Sequence, residues 1–140
     1  MEFFIFFTII VFGVGAFIIY RSTSKKGTAE NYYYRRYLRN RIQLEKHIDS
    51  LQQLILNYEC GSNVWDEGKN STVEAYLLQL KINLQNEYSE GTLKLLKRNK
   101  LKNKDKNYYS KILIKQSEML FRTETDLIIL HNKYSALAVL

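Results

Sequence analysis

Residues 30–58 read ENYYYRRYLRNRIQLEKHIDSLQQLILNY and indicate one long amphipathic helix. Their apolar side chains recur in steps of three and four, which is helical spacing and not strand alternation. These apolar positions are Tyr34, Tyr37, Leu38, Leu44, Ile48, Leu51, Ile55 and Tyr58. A helix with one apolar face must bury that face against other elements, so the segment predicts a helical bundle.

The chain after this helix continues the helical pattern. Residues 60–70 form a loop with Trp65 folding back on the core, and Ser71 with Glu74 makes a capping box for a second helix to about Tyr88. A break at 89–91 separates a short helix over residues 92–100, and a loop near 103–107 precedes a last helix over 108–137. The chain has no proline and six glycines, which favours long helices, so the predicted fold class is all-α.

The chain before residue 30 suggests a membrane anchor. Residues 3–20 carry no charge and are long enough, as a helix, to cross a bilayer. Lys and Arg follow this segment but do not precede it, which predicts an outside N-terminus and a cytoplasmic domain at the inner membrane. The expected domains are a transmembrane anchor at 1–21, a linker at 22–29 and a cytoplasmic helical bundle at 30–140. Within the span, the residues suited to helix packing or to lining a pore are Thr8, Gly13, Gly15 and Ala16.

Most enzyme signatures are missing from the sequence. It contains no glycine-rich phosphate loop, no CxxC and no HExxH motif, and its single cysteine, Cys60, has no partner for an internal disulfide. No cofactor and no metal site are expected.

One pair of residues on the first helix suggests chemistry. Arg41 is followed after five residues by His47. An R-x5-H spacing in a helical domain resembles the motif of the HEPN superfamily, in which the pairs of two protomers cleave RNA. With the predicted anchor and basic bundle, the chain is similar to the small membrane accessory proteins of type VI-B CRISPR systems. That resemblance implies a HEPN-like fold, assembly in a membrane and a role in antiviral defence.

The same two residues also have structural interpretations. Arg41 is placed for an i,i+4 ion pair with Glu45, and His47 flanks the core near Leu51. The superfamily prefers a polar residue directly after the Arg, where this chain has Ile42, so RNA cleavage is not expected.

A basic run supplies the second candidate site. Its members are Lys97, Arg98, Lys100, Lys102, Lys104 and Lys106. The run is either a plain solvated loop or a binding surface, and as a binding surface it would contact the anionic inner leaflet or the phosphates of RNA. The tyrosines at 32–34 and 37, interleaved with Arg35 and Arg36, are placed either to stack on bases or to lie at the membrane interface.

The functional hypothesis is a membrane-anchored helical accessory protein that self-assembles, into a pore, to strengthen RNA-guided antiviral defence. Its expected partners are the lipid bilayer, further copies of itself, a CRISPR effector and RNA. The alternative is a membrane-tethered coiled-coil or bundle scaffold that recruits cytoplasmic partners without catalysis.

Overall fold

The computed structural model describes residues 32–66, 70–98 and 101–137. Helix α1 occupies residues 32–58 of this range. It is followed by strands β1 (Val64–Asp66) and β2 (Ser71–Thr72), and by helices α2 (Val73–Asn86), α3 (Glu90–Lys97) and α4 (Asn103–Leu137). The predicted all-α architecture is therefore confirmed, apart from one short antiparallel hairpin formed by β1 and β2.

Helices α1 and α4 run parallel to each other. The Tyr33 and Ser110 hydroxyls form a hydrogen bond of 3.3 Å near the start of both helices. Near their ends, the Tyr58 ring stacks on the Tyr134 ring at 6.1 Å between centroids. Contacts at both ends in the same order fix the parallel direction.

Helix α2 runs antiparallel to α4. The Tyr76 hydroxyl, early in α2, donates to the Asp126 carboxylate late in α4 at 2.9 Å. Tyr88, just after α2, donates to the backbone carbonyl of Gln116 at 3.2 Å. The bundle thus has an up-down-up topology, in which α2 and α3 together form the descending arm.

Two apolar clusters fill the bundle. The larger, at the hairpin side, includes buried residues from three helices, among them Leu44, Leu51, Leu80 and Leu120. The smaller, which we call the tyrosine cluster, has Tyr37, Leu96 and Leu113 at its centre. The side chains packed around that centre are Tyr33, Tyr34, Leu93, Leu101, Tyr109 and Ile112.

The hairpin replaces part of the predicted loop and shifts the start of α2. The N-cap is Thr72, whose hydroxyl accepts the Ala75 amide at 3.2 Å, and not the predicted Ser71. Both Ser71 and Thr72 pair with β1, and α2 begins directly after them at Val73, so Thr72 and not Ser71 occupies the N-cap position. Trp65 packs against the larger cluster as expected, and its ring stacks on Tyr76 at 5.1 Å.

Helix α4 begins earlier than the sequence indicated. The segment predicted as a solvated loop belongs to the helix, because the Asp105 carboxylate accepts the Lys102 amide at 3.1 Å and caps the first turn. Leu54, which the predicted stripe omitted, is also buried in the larger cluster, and the predicted Ile55 packs against that cluster while partly exposed.

The membrane prediction is corrected. Within residues 32–66, 70–98 and 101–137, no helix combines the length and the apolar character that crossing a bilayer requires. The single-pass transmembrane architecture and the inner-membrane location are therefore not retained. The segment to which the span was assigned, with Thr8, Gly13, Gly15 and Ala16, lies outside the described residues.

Candidate nucleic-acid interface

The junction between α2 and α3 is held by a buried polar layer. A helix that ends leaves backbone carbonyls without intrahelical partners. Here Gln116 donates from its side-chain amide to the Glu87 carbonyl at 2.7 Å, and the Tyr37 hydroxyl donates to the same carbonyl at 3.2 Å. Asn40 in turn donates to the Gln116 side-chain oxygen at 3.2 Å and orients it. The layer lies between the two apolar clusters and provides hydrogen-bond donors for the backbone carbonyl of Glu87 at the α2–α3 junction.

Arg41 belongs to this layer. Its guanidinium donates to the Tyr88 carbonyl at 2.6 Å and to the Glu45 carboxylate at 3.0 Å, and it lies 3.7 Å from Glu90. The expected Arg41–Glu45 ion pair is therefore present. With its side chain only 18% exposed, Arg41 satisfies the Tyr88 carbonyl, which lies between the C-cap of α2 and the N-cap of α3.

His47 lies in different surroundings. Its Nδ1 is buried and has no hydrogen-bond partner among the described residues. Burial lowers the pKa of His47, and the nearby Glu124 carboxylate on α4 opposes that shift only in part. Arg41 faces the α2–α3 junction whereas His47 is close to α4, so the fold does not bring the R-x5-H pair together within one protomer.

The charges of the described chain are strongly segregated along the bundle. We define the basic end as residues 32–41, 87–98 and 101–117, which lie on the tyrosine-cluster side of the polar layer. This end contains twelve Lys and Arg against three Asp and Glu. The other end, residues 42–66, 70–86 and 118–137, contains four Lys and Arg against eight Asp and Glu. The excess of positive charge is therefore confined to one end.

Three separate segments build the basic end. The basic run contributes Lys97 and Arg98 at the end of α3, and Lys102, Lys104 and Lys106 around the start of α4; Lys100 lies outside the described residues. Helix α1 adds Arg35, Arg36 and Arg39. The tyrosine cluster joins these segments, because it packs α1 against both α3 and α4.

Aromatic rings accompany these cations. Tyr32 is 48% exposed and Tyr108 is 61% exposed. A surface depression of about 220 Å³ is lined by Tyr32, Arg35, Arg36 and Arg39. Within it, Arg36 lies 5.9 Å from the centre of the Tyr32 ring and donates to the Ser117 hydroxyl.

The two remaining arginines of the depression are exposed. No hydrogen bond or ion pair joins Arg35 or Arg39 to another residue in the described ranges. They are therefore available to an anionic ligand, while Arg36 holds the shape of the depression.

Other candidate chemistry is weak in the described ranges. No group of three or more His, Cys, Asp or Glu residues there is arranged to hold a metal ion. Cys60 is buried, and burial raises the pKa of its thiol, which disfavours the reactive thiolate.

The sequence indicated the basic run but not its union with the arginines of α1. The tyrosines that flank Arg35 and Arg36 were the sequence signal for this contact, because they form the α1 part of the tyrosine cluster.

Comparison with known proteins identifies no family. No family model, no curated protein and no solved structure matches the chain.

Proposed function

We propose that this protein is a non-catalytic helical module that binds single-stranded RNA through its basic end. The observation that carries the proposal is the charge of the basic end, where twelve Lys and Arg, eleven of them besides the junction residue Arg41, stand against three Asp and Glu. Phosphate neutralisation supplies most of the affinity of such surfaces, and it is independent of nucleotide sequence.

The exposed rings favour a single strand over a duplex. Bases in a single strand are free to stack on aromatic side chains, and each stacked base is worth about 1–3 kcal/mol. Tyr32 next to Arg35 and Arg39, and Tyr108 on the first turns of α4, provide rings beside cations. A duplex offers its bases no such contact, so a single strand is the better match.

The absence of catalysis is supported by the surroundings of Arg41. Its guanidinium is engaged by the Tyr88 carbonyl and by Glu45, and His47 lies against another helix. A general acid–base pair needs both groups within reach of one reacting bond. We therefore assign Arg41 to the stability of the α2–α3 junction.

Two variants with the same change in charge test the RNA site. One replaces Lys97, Lys102 and Lys104 at the basic end by Gln. The matched control replaces Lys46, Lys81 and Lys133 at the opposite end by Gln. All six lysines are exposed, so both variants should fold, which circular dichroism checks.

Binding is measured by fluorescence anisotropy with a labelled single-stranded RNA of about 20 nucleotides over a range of salt concentrations. Each lost phosphate contact lowers the slope of log affinity against log salt by about 0.7, so the basic-end variant should lose about 2 in slope. The control variant should keep the slope of the unaltered chain. Equal losses in both variants, or no RNA binding by the unaltered chain at low salt, would overturn the proposal. Binding to vesicles of anionic lipid without binding to RNA would do the same.

The cellular setting that we propose is RNA-guided antiviral defence, as an accessory to a CRISPR effector. Its support is the resemblance of the Arg41 and His47 spacing to the HEPN motif, together with the proposed RNA-binding surface. Plaque counts on bacteria that carry a type VI effector, with and without this chain, test that role. Protection should rise with the chain and fall for the basic-end variant. No gain in protection would overturn the defence role and leave RNA binding to be judged separately.

A scaffold without RNA is the second candidate. It is favoured by the apolar side chains that α4 exposes, including Phe121 at 71%. A scaffold of this kind would bind protein partners with affinities that depend little on salt, which separates it from the RNA module.

A further inference from the structure

Helix α4 carries a line of apolar side chains on the face turned away from the bundle. Ile114, Phe121 and Ile128 are 55%, 71% and 56% exposed and are spaced seven residues apart. A spacing of seven places side chains on nearly the same line of a helix, here about 21 Å long. We call these three residues the α4 stripe.

The stripe is more than ordinary surface exposure. Single exposed apolar side chains are normal in folded proteins, but an aligned row on one helix face is typical of a contact with another helix. The inward side of the same helix is already complete, because Leu113, Leu120 and Leu130 are buried in the two clusters.

The charges along α4 indicate the partner. Residues 102–117 contain five Lys and a single acidic residue, Asp105. Residues 118–137 contain Glu118, Glu124 and Asp126 against two basic residues. Two α4 helices placed antiparallel therefore set the basic half of each against the acidic half of the other, whereas a parallel pair sets like halves together.

We propose that the α4 stripe binds a second copy of this chain, as an antiparallel two-fold dimer centred on Phe121. In such a pair, a residue that precedes Phe121 lies at the same height along the helix axis as the residue that follows Phe121 of the other copy by the same number of positions. Ile114 then packs against Ile128 of the second copy, and the two Phe121 rings meet on the axis.

The flanks of the stripe agree with this arrangement. Glu118 and Arg122 are exposed and lie on the same side of the stripe. Antiparallel pairing brings Glu118 of one copy beside Arg122 of the other, twice in a symmetric dimer. The basic ends then lie at opposite ends of the dimer, so this inference does not depend on RNA binding.

Cysteine cross-linking of the full-length chain tests the dimer and its direction. The chain is purified in a mild nonionic detergent, since residues 3–20 carry no charge, and the buried Cys60 is replaced by Ala. In this background Phe121→Cys should form a disulfide-linked dimer. Ile114→Cys should not cross-link with itself, but it should cross-link when mixed with Ile128→Cys.

A matched control is Leu78→Cys, which is 59% exposed on α2 and lies off the stripe. It should cross-link at least ten-fold more slowly than Phe121→Cys. Equal rates for these two variants would overturn the dimer. Cross-linking of Ile114→Cys with itself would overturn the antiparallel direction and, with it, the charge argument.

A charge exchange supplies a second readout that does not use cysteine. Glu118→Arg alone and Arg122→Glu alone should each weaken the dimer about ten-fold in light scattering corrected for bound detergent, and the double exchange should restore it. A double variant as weak as either single variant would contradict the predicted pairing.

Discussion

Replacing Arg41 by Met removes the guanidinium at the α2–α3 junction and keeps the aliphatic stem. The loss of the 2.6 Å hydrogen bond to the Tyr88 carbonyl costs about 1.5–3 kcal/mol, since the donor is charged and the site is largely buried. The ion pair with Glu45, which is 41% exposed, adds only about 0.3–0.5 kcal/mol. The contact with Glu90, which is 69% exposed, adds little.

The expected loss is therefore about 2–3 kcal/mol in the free energy of unfolding. For a chain of this size, that loss lowers the melting temperature by about 6–9 °C. Urea unfolding followed by circular dichroism gives the free energy, and a thermal scan gives the melting temperature. The slope of the urea transition should not change, because the folded state remains equally compact.

The matched control is Arg39→Met, two residues away on the same helix. Arg39 is exposed, and its replacement should cost less than about 0.5 kcal/mol. If the Arg41 and Arg39 variants were equally stable, the role of Arg41 at the α2–α3 junction would be refuted. A catalytic or RNA-contacting role would then become the better explanation for its position.

Three further predictions concern the core and the basic end. Gln116→Ala breaks both buried hydrogen bonds of its side chain and should cost about 2–4 kcal/mol in urea unfolding; a cost below 1 kcal/mol would contradict the polar layer. Burial lowers the pKa of His47, so the folded state binds this proton more weakly than the unfolded chain and stability falls as the pH drops through about 6.5. His47→Gln should reduce the loss of melting temperature between pH 7.5 and 5.5, and an unchanged loss would contradict the effect of burial on this side chain. Tyr32→Ala and Tyr108→Ala should each weaken RNA binding about five-fold or more without changing the salt slope, because stacking involves no counterions; a changed slope would assign these rings to an electrostatic role.

The sequence predicted those parts of the fold that depend on near neighbours. The periodic stripe of residues 30–58 and the helix break near Ser89 both follow from local spacing and capping. Ser89 caps α3 by accepting the Thr92 amide at 3.3 Å, and the two residues are only three positions apart in the sequence. Such signals are readable because the interacting groups are close along the chain.

The polar layer was not predictable in the same way. Gln116 interrupts the apolar stripe of α4 and looks like an exposed position in the sequence. Its burial depends on Asn40 and Glu87, which are 76 and 29 residues away. The basic end was missed for a similar reason, because joining α1 to the basic run requires knowing that α1 and α4 are parallel.

A map of RNA contacts on the full-length chain tests the basic end most directly. Ultraviolet cross-linking to a single-stranded RNA of about 20 nucleotides, followed by mass spectrometry, identifies the residues in contact with bases. If the basic end binds RNA, cross-links form at Tyr32 and Tyr108 and on peptides from residues 32–41 and 101–117. Cross-links concentrated in residues 42–66 or 118–137 would contradict RNA binding at the basic end.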